Sequence, residues 1–297
     1  MTSRETPTPA EDTQYRDLLQ RILELGELSQ TRQGPQAYTL MQQTMRFDLA
    51  DGFPVITERD VSAFWRKAVG ELCAFINGAR TTEELRSFGC DWWDAWATEE
   101  KSGRRGLEAG DLGPASYGGA FHDFPNGDGT SFDQFGALVP QLVQHRHIRT
   151  HFVSPWIPGL LSRAEGRTPQ ATIAPCHGWV HVRVLNDRLH LHLFQRSGDV
   201  PIGVPSNMIQ YSALMLMLES LTGFQAGVYY HTISDAHIYE NQVEKVRVLL
   251  ERARKPLGYI RLTDEGRSVT DIHDFRAEHF ELSAYDPNSG LRIPVAV

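Results

Sequence analysis

The sequence predicts a single domain of the α+β class. Apolar residues recur at helical spacing in segments such as 15–28 and 64–79, whereas apolar and polar residues alternate strictly over 178–194. The chain has 297 residues, with neither an internal repeat nor a linker-like segment. We therefore expect one folded domain over residues 14–297, preceded by a loose polar tail at 1–13.

The elements follow from local patterns, taken in order along the chain. Helical spacing and capping residues predict helices at 15–28, 64–79, 81–89, 132–144, 208–221 and 239–254. The helix at 208–221 is apolar on nearly every face, which is typical of a helix buried in the middle of a domain.

Strands are predicted where β-type residues are bounded by turn formers. Such segments lie at 38–57, at 149–156 and in a short C-terminal region ending at 294–297. The best-defined pair is the hairpin over 178–194, which turns at Asn186–Asp187. Surface loops are predicted at 98–113 and 122–131, which are rich in turn formers or charge.

Composition excludes several classes of protein. The net charge of −8 argues against a protein that binds a nucleic-acid backbone, although a few arginines can still bind a small anion. No apolar run has the length of a membrane span, and the N-terminus has no apolar signal segment. Three cysteines without metal-like spacing suit a reducing compartment. We therefore expect a cytoplasmic protein with no membrane partner.

A candidate nucleophile lies in the sequence APCHGW. Cys176 sits in a Pro-Cys-His turn directly before a predicted strand, where an adjacent cation such as Arg196 would favour the thiolate. A buried, unreactive cysteine is equally compatible with this local pattern. The residues around Cys176 do not decide between the two.

A resemblance to a known family favours a reactive Cys176 over a merely buried one, and four motifs carry it. PCH at 175–177, QRSGD at 195–199, GVPSN at 203–207 and SDAHIY at 234–239 resemble the successive signatures of folate-dependent thymidylate synthases. The likeness runs from about residue 15 to the end and includes other motifs in the family's order: MRFDLADGFPVIT, WWDAWA, GDLGPASYG, FVSPW and YDPNSGLRIPVAV. It implies a large bent mixed β-sheet packed by helices, and a homodimer whose two active sites share arginines.

The resemblance assigns roles to the catalytic residues. Cys176 would add to carbon 6 of a pyrimidine, so that carbon 5 attacks the methylene group of methylenetetrahydrofolate. Glu71 would manage proton transfer through ordered water. Tyr117 matches a tyrosine near the nucleophile, His177 would line the base pocket, and Arg196 would supply the cation beside the thiol.

The nucleotide-binding residues follow from the same motifs. Phosphate ligands are matched by Arg32, Arg196 and Ser197, and by Arg149 donated across the dimer. The second donated arginine is replaced by Thr150, for which Arg146 is a possible substitute. Asn207 matches the amide that reads uracil, because an amide both donates and accepts. The sugar hydroxyl would be bound by His237 and Tyr239.

The cofactor is expected to be methylenetetrahydrofolate as a cosubstrate, without a metal. The folate contacts implied by the family are Trp93, Asp199, Gly203 and the C-terminal carboxylate of Val297. A metal site is tempting at three histidines of the predicted hairpin, but these alternate with Val and Leu without a carboxylate cluster. We therefore expect cross-strand surface pairs at His181, His190 and His192.

Departures from the family pattern leave the reaction product open. Ser206 replaces the usual Phe before the base-reading Asn207, Ser234 replaces a Gly, and Ala74 stands where Trp is common. A wetter pocket would favour water over hydride as the species that captures the methylene intermediate. Methylation of dUMP to dTMP is expected first, with hydroxymethylation of dUMP, dCMP or CMP as the alternative. A degenerate relative that only binds nucleotide or RNA is the non-enzymatic alternative.

Overall fold

A six-stranded mixed β-sheet organises the part of the chain that the computed structural model describes, residues 12–296. The strands are β1 (Glu27–Ser29), β2 (Ala37–Asp48), β3 (Phe124–Pro125), β4 (Ser131–Phe132), β5 (Phe152–Val153), β6 (Trp179–Leu185), β7 (Arg188–Asp199), β8 (Gln225–Tyr239), β9 (Tyr259–Leu262) and β10 (Phe280–Ser283). The large sheet has the order β1-β2-β8-β7-β6-β5, and its β7–β8 pair is parallel while its other pairs are antiparallel. β3 pairs with β4, and β9 with β10, in two small separate ribbons.

Helices cover one side of this sheet and its ends. They are α1 (Gln14–Leu25), α2 (Trp65–Ile76), α3 (Thr82–Ser87), α4 (Glu99–Gly103), α5 (Tyr117–His122), α6 (Gln134–Gln144), α7 (Pro158–Leu161), α8 (Gly203–Thr222), α9 (Val243–Glu251) and α10 (Asp264–Arg267). Short 3-10 helices occur at Ala164–Gly166, Glu240–Gln242, Ile272–Asp274 and Ala277–His279. None of the helices in the described range is long and apolar enough to cross a membrane.

The hairpin predicted around 178–194 is confirmed as β6 and β7. Asn186 and Asp187 both have positive φ, 51° and 59°, which is the backbone of a tight two-residue turn. The alternating Val and Leu side chains of both strands are buried on one face. β7 then continues to Asp199 beside the parallel strand β8, so its last residues reach one end of the sheet.

The helix α8 is buried in the middle of the domain, as its all-round apolar sequence predicts. It begins at Gly203, five residues before the predicted start, because Pro205 is tolerated in the first turn of a helix. It ends at Gly223, whose φ of 75° closes the helix in the left-handed conformation. The base-reading candidate Asn207 therefore sits in the second turn of a rigid, buried helix.

The opposite face of the large sheet is open and partly apolar. Cross-strand neighbours there include His181 and His192, which pair directly between β6 and β7. Phe152 and Phe194 on this face are 53% and 36% exposed. A large sheet with apolar side chains on its uncovered face has the character of an interaction surface.

Other predicted elements also differ from the observed ones. The helix predicted at 15–28 ends at Leu25, because residues 27–29 pair with β2 as the edge strand β1. The strand predicted at 149–156 is limited to β5, because Pro155 has no N–H to donate to a neighbouring strand. The loop predicted at 98–113 contains α4, whose first turn is capped by the Thr98 side chain.

The C-terminal region is irregular rather than a β-strand. After β10 the chain is held by single hydrogen bonds to the segment before α2: the Tyr285 hydroxyl donates to the Ile56 carbonyl (2.9 Å) and the Asn288 N–H to the Thr57 carbonyl (2.9 Å). The loose tail predicted at 1–13 lies outside the described residues except for its last two positions.

Candidate active site

The candidate nucleophile lies in a turn that is clamped to β7 by one arginine. Cys176 is half-buried, and its Sγ lies 3.3 Å from Nη2 of Arg196. The same guanidinium donates to the carbonyls of Pro175 (2.8 Å) and Ala174 (2.8 Å). Burial raises the pKa of the Cys176 thiol, while the Arg196 charge and a hydrogen bond from Tyr117 act in the opposite direction. Arg196 therefore both fixes the turn and favours the thiolate.

Two aromatic side chains hold the nucleophile from the other side. The Cys176 N–H donates to the hydroxyl oxygen of Tyr117 at 2.7 Å. The Tyr117 ring stacks on His177 with 4.5 Å between centroids, and His177 Nδ1 lies 2.7 Å from the Tyr211 hydroxyl. Burial, followed by the charge of Arg196, lowers the pKa of His177 to about 3. His177 is consequently a neutral imidazole at physiological pH.

Two glycines permit the close packing that brings these elements together. Gly178, directly after the Cys176 turn, has a φ of +103°, and a Cβ there would lie 2.7 Å from the Phe121 ring. Gly70 of α2 faces the Phe88 carbonyl, which a Cβ would approach to 2.1 Å. A side chain at either position would push apart the walls of the site.

Glu71 is a buried carboxylate with three N–H donors. It lies in α2 and is 6% exposed. Its Oε1 accepts the indole N–H of Trp92 (2.6 Å) and that of Trp93, and its Oε2 accepts the amide N–H of Gln210. Burial raises the pKa of Glu71, and these donors partly offset that rise. A carboxyl group in this setting is suited to proton transfer at a pH above the usual carboxyl range.

A chain of three side-chain amides connects Glu71 to the end of β7. Gln195 Nε2 donates to the Ser197 carbonyl (2.9 Å) and to Asn207 Oδ1 (3.0 Å). Asn207 Nδ2 donates in turn to Gln210 Oε1 (3.0 Å). We call Gln195, Asn207 and Gln210 the amide chain. A carbonyl fixes one end and the Glu71 carboxylate the other, so the orientation of the Asn207 amide is determined.

The predicted sugar-binding pair lies on β8 near the nucleophile. His237 is 8% and Tyr239 6% exposed, and their ring centroids are 5.1 Å apart. His237 Nδ1 lies 2.8 Å from a carboxylate oxygen of Asp235. Burial raises the pKa of Tyr239 to about 12, with smaller contributions from the charges of Asp199, Asp235 and Cys176. The two residues therefore share one neighbourhood with the thiol.

The predicted folate residue Asp199 is linked to the C-terminal segment. Gln242 Nε2 donates to both Asp199 oxygens (3.3 and 3.0 Å) and to the Pro294 carbonyl (2.9 Å). Ala296 packs in a small cluster with Tyr239. Burial raises the pKa of Asp199 to about 6. The end of the described chain therefore lies against the site, and the predicted ligand Val297 falls outside the described residues.

The structure leaves space beside the amide chain. Gly203 begins α8, and among residues 12–296 a Cβ there would meet within 4 Å only Asn207 Oδ1, at 3.9 Å. Ser197 and Ser206 are half-buried at the same end of β7 and α8. Trp93 is 8% exposed, and its indole N–H is already bound by Glu71. Its ring is thus the part of the side chain that remains for a ligand.

Three predicted phosphate ligands differ in where they lie. Arg196 and Ser197 are in the site on β7, whereas Arg32 is exposed in the loop between β1 and β2. Arg32 lies close enough to Arg105 to affect its ionisation. Burial, followed by the charges of Arg163 and Arg32, lowers the pKa of Arg105. Arg32 is therefore part of a positively charged region that the sequence motifs did not indicate.

The arginine predicted to cross the dimer lies on the exposed segment 145–150. Arg149 is exposed, and its carbonyl oxygen lies 3.1 Å from His181 Nε2. The suggested substitute for the missing second arginine, Arg146, pairs instead with Asp187 at 2.7 Å. Arg146 is engaged at the β6–β7 turn, which weighs against its role as a phosphate ligand.

A comparison with known families decides the wider assignment. The sequence model described as thymidylate synthase matches residues 13–297. The chain belongs to the thymidylate synthase family. The resemblance and the α+β fold with a large mixed sheet packed by helices are confirmed. Membership supports one-carbon transfer in pyrimidine nucleotide metabolism, with methylenetetrahydrofolate as the family's cosubstrate.

Several residues of the candidate site were not anticipated from the sequence. Trp92 and Gln210 bind Glu71, and Gln195 and His231 complete the support of Asn207, with His231 Nε2 2.7 Å from Gln195 Oε1. The spacing of Asn207 and Gln210, three residues apart on one helix, places both on one face and is the available signal. The remaining contacts join residues that are distant in sequence.

Gln210→Met is predicted to destabilise the protein. Met keeps most of the side-chain volume but leaves Asn207 Nδ2 and Glu71 Oε2 each without a partner. Each unsatisfied buried group costs about 1–3 kcal/mol, so we expect the free energy of unfolding in urea to fall by about 2–4 kcal/mol.

Ser212→Ala is the matched control in the same helix. Ser212 is fully buried, and its hydroxyl has no hydrogen-bond partner within residues 12–296. Its removal should change the free energy of unfolding by less than about 1 kcal/mol. Equal stability of Gln210→Met and the native protein would contradict the amide chain.

Proposed function

We propose that the protein transfers a one-carbon unit from methylenetetrahydrofolate to carbon 5 of dUMP and produces dTMP. The observation that carries the proposal is the half-buried thiol of Cys176 at 3.3 Å from the Arg196 guanidinium, in a turn held by Tyr117. A positioned thiol beside a fixed cation is the arrangement required for nucleophilic catalysis. Membership of the thymidylate synthase family supplies the substrate class.

The proposed reaction begins with addition of the Cys176 thiolate to carbon 6 of the pyrimidine. The electron pair displaced from the ring double bond makes carbon 5 nucleophilic, and carbon 5 bonds to the folate methylene carbon as the bond from that carbon to one of its two folate nitrogens breaks. Carbon 5 then loses its proton, the bond from the methylene carbon to the second folate nitrogen breaks, and tetrahydrofolate is released from the nucleotide. Hydride from tetrahydrofolate reduces the exocyclic methylene to a methyl group, dihydrofolate forms, and the thiolate is expelled. Glu71 handles the protons through water.

The amide chain supports uracil as the base. Asn207 uses one Oδ1 lone pair on Gln195 and one Nδ2 hydrogen on Gln210. One acceptor and one donor remain, and they match the ring N3–H and the O4 carbonyl of uracil. Cytosine presents the reverse pattern and would require the amide to turn over against both neighbours.

Phosphate binding and assembly are proposed together. Arg32, Arg196 and Ser197 bind the phosphate with Arg149 of a second copy, because forked guanidinium donors of fixed charge suit phosphate. The open face of the large sheet, with Phe152 and Phe194 exposed, is the proposed homodimer surface. His237 and Tyr239 bind the sugar hydroxyl. A cytoplasmic location is proposed from the reducing environment that a free thiol needs.

The folate is proposed to lie against Trp93, Asp199 and Gly203, with Val297 closing over it. Support comes from the Gln242 bridge that joins Asp199 to the C-terminal segment and from the open space at Gly203. Closure of this segment would exclude water from the methylene intermediate.

Hydroxymethylation of a pyrimidine nucleotide is the second candidate. The observation that favours it is Ser206, a half-buried hydroxyl next to Asn207 where an apolar ring would otherwise exclude water. In that reaction water adds to the exocyclic methylene in place of hydride, and tetrahydrofolate is the second product.

Product analysis is predicted to show dTMP and dihydrofolate. The protein is incubated separately with dUMP, dCMP, UMP and CMP plus methylenetetrahydrofolate, and the products are weighed by mass spectrometry. A product heavier by one oxygen together with tetrahydrofolate would establish the hydroxymethylase instead. Absence of product with every nucleotide would favour the non-enzymatic binding protein.

Cys176→Ala is predicted to abolish turnover, by at least about 10³-fold, because the covalent step loses its nucleophile. Nucleotide binding measured by calorimetry should be largely retained, since the other proposed contacts remain. Cys73→Ala, which removes a buried thiol of α2, is the control and should keep its activity. Measurable turnover by Cys176→Ala would refute the covalent mechanism.

The pH dependence of kcat/KM is predicted to follow the ionisation of Glu71. Because burial raises the pKa of Glu71, kcat/KM should begin to fall, as pH decreases, above the usual carboxyl range. Trp92→Phe removes a donor that stabilises the charged form, so it raises this pKa further and moves the acid limb to higher pH. Trp96→Phe changes an indole that contacts Lys101, and should leave the limb in place. A shift to lower pH in Trp92→Phe would contradict the assignment.

A further inference from the structure

A second cluster of ionisable side chains lies outside the active site. His122 ends α5, Asp133 caps the N-terminus of α6, and His273 lies in the 3-10 helix Ile272–Asp274. One ligand atom from each of these half-buried residues lies within 4.8 Å of the other two. Two imidazoles and a carboxylate form a donor set that suits Zn²⁺ and similar divalent transition ions. The proposed one-carbon transfer does not use these residues.

The His273 ring is oriented for such a ligand. Its Nδ1 lies 2.7 Å from Asp271 Oδ1, and its Nε2 lies 2.9 Å from Asp133 Oδ2. Nε2 is shielded from solvent, yet it has no hydrogen bond of acceptable geometry with any described residue. With the proton on Nδ1, a lone pair of Nε2 faces a carboxylate oxygen. A cation bound by both atoms would remove the repulsion between the Nε2 lone pair and the carboxylate oxygen.

His122 shows the same pattern of an outer carboxylate. Its Nδ1 lies 3.1 Å from Asp123 Oδ1, which leaves Nε2 as the other ring nitrogen. The two imidazole rings are nearly perpendicular, at 86°, with 5.6 Å between centroids. Carboxylates that bind the second nitrogen of a metal-ligating histidine fix its orientation and raise its basicity. Both histidines of the cluster have such a carboxylate.

Asp133 is fixed by one carboxylate oxygen, and its other oxygen is available as a metal ligand. Its Oδ1 accepts the Gly136 N–H at 2.9 Å as the helix cap, so Oδ2 is directed to His273. Ligands at about 2.0–2.2 Å from Zn²⁺ lie roughly 3.4 Å apart in tetrahedral geometry. The His122 side chain, which is 38% exposed, would need to move by at most about 1.4 Å from the 4.8 Å limit to reach that separation. The guanidinium of Arg276 reaches the main-chain carbonyl of His273, so one positive charge lies nearby.

We propose that His122, Asp133 and His273 bind one divalent transition-metal ion of the Zn²⁺ type, with Asp123 and Asp271 orienting the rings. The ion would join three elements, α5, α6 and the 3-10 helix Ile272–Asp274. One of them, α5, begins at Tyr117, whose hydroxyl binds the N–H of Cys176. The site is structural: it would brace the wall of the active site without contacting the substrate.

Metal binding by untagged, chelator-treated full-length protein tests this proposal. We expect saturable uptake of one Zn²⁺ per chain in equilibrium dialysis, and a visible ligand-field absorption when Co²⁺ is used. At about a hundredfold excess over Kd, Zn²⁺ should raise the midpoint of thermal unfolding by about 5 °C. No saturable uptake at one equivalent would overturn the proposal.

Variants assign the binding to the cluster. His122→Gln, His273→Gln and Asp133→Asn should each weaken Zn²⁺ binding by at least about tenfold; Asn at 133 keeps the helix cap, so the fold is preserved. Asp271→Asn keeps all three ligands but changes the group that orients the His273 ring. It should lower the affinity for Zn²⁺ by about 10–100-fold. His147→Gln, an exposed histidine outside the cluster, should bind as the native protein does. Unchanged binding in both His122→Gln and His273→Gln would refute the assignment.

Discussion

The site depends on burying the charge of Glu71. Removing a carboxylate from water is costly unless its oxygens are hydrogen-bonded, and three N–H donors meet that need here. These donors come from two indoles in the segment after α3 and from one amide in α8. Satisfying the carboxylate therefore fixes three separate elements around one point, and the pKa remains raised because desolvation exceeds the stabilisation from the donors.

The amide chain extends this constraint to substrate choice. Gln195 donates to both the Ser197 carbonyl and Asn207, Asn207 donates to Gln210, and Gln210 donates to the carboxylate, so each amide has one orientation that satisfies its neighbours. The group proposed for proton transfer and the group proposed to read the base are consequently coupled. A change in the charge of Glu71 alters its hydrogen bond with Gln210, the residue of the amide chain that accepts from Asn207.

The sequence predicted those features that leave a local signal. Strict alternation predicted the β6–β7 hairpin, and an all-round apolar surface predicted the burial of α8. The motifs around Cys176 placed Arg196 beside the thiol, as the structure shows. Side-chain contacts between distant segments leave no such pattern: Gln210 and Glu71 are 139 residues apart, and neither is unusual in its own helix. The same reason hid the cluster at His122 and the pairing of Arg146 with Asp187, which lies 41 residues further along the chain.

In the proposed function, the contacts of Arg196 would leave one chain with an incomplete phosphate site. Its Nε and Nη2 are committed to Pro175, Ala174 and Cys176, so within the described structure only Nη1 is left for a phosphate oxygen. A phosphate dianion bound in a dry site needs more donors than one terminal nitrogen and Ser197 supply. Arg32 and a second copy's Arg149 provide them in the proposed dimer. In that proposed dimer, nucleotide binding and dimerisation would be thermodynamically linked, because a ligand held by both subunits stabilises the assembly that binds it.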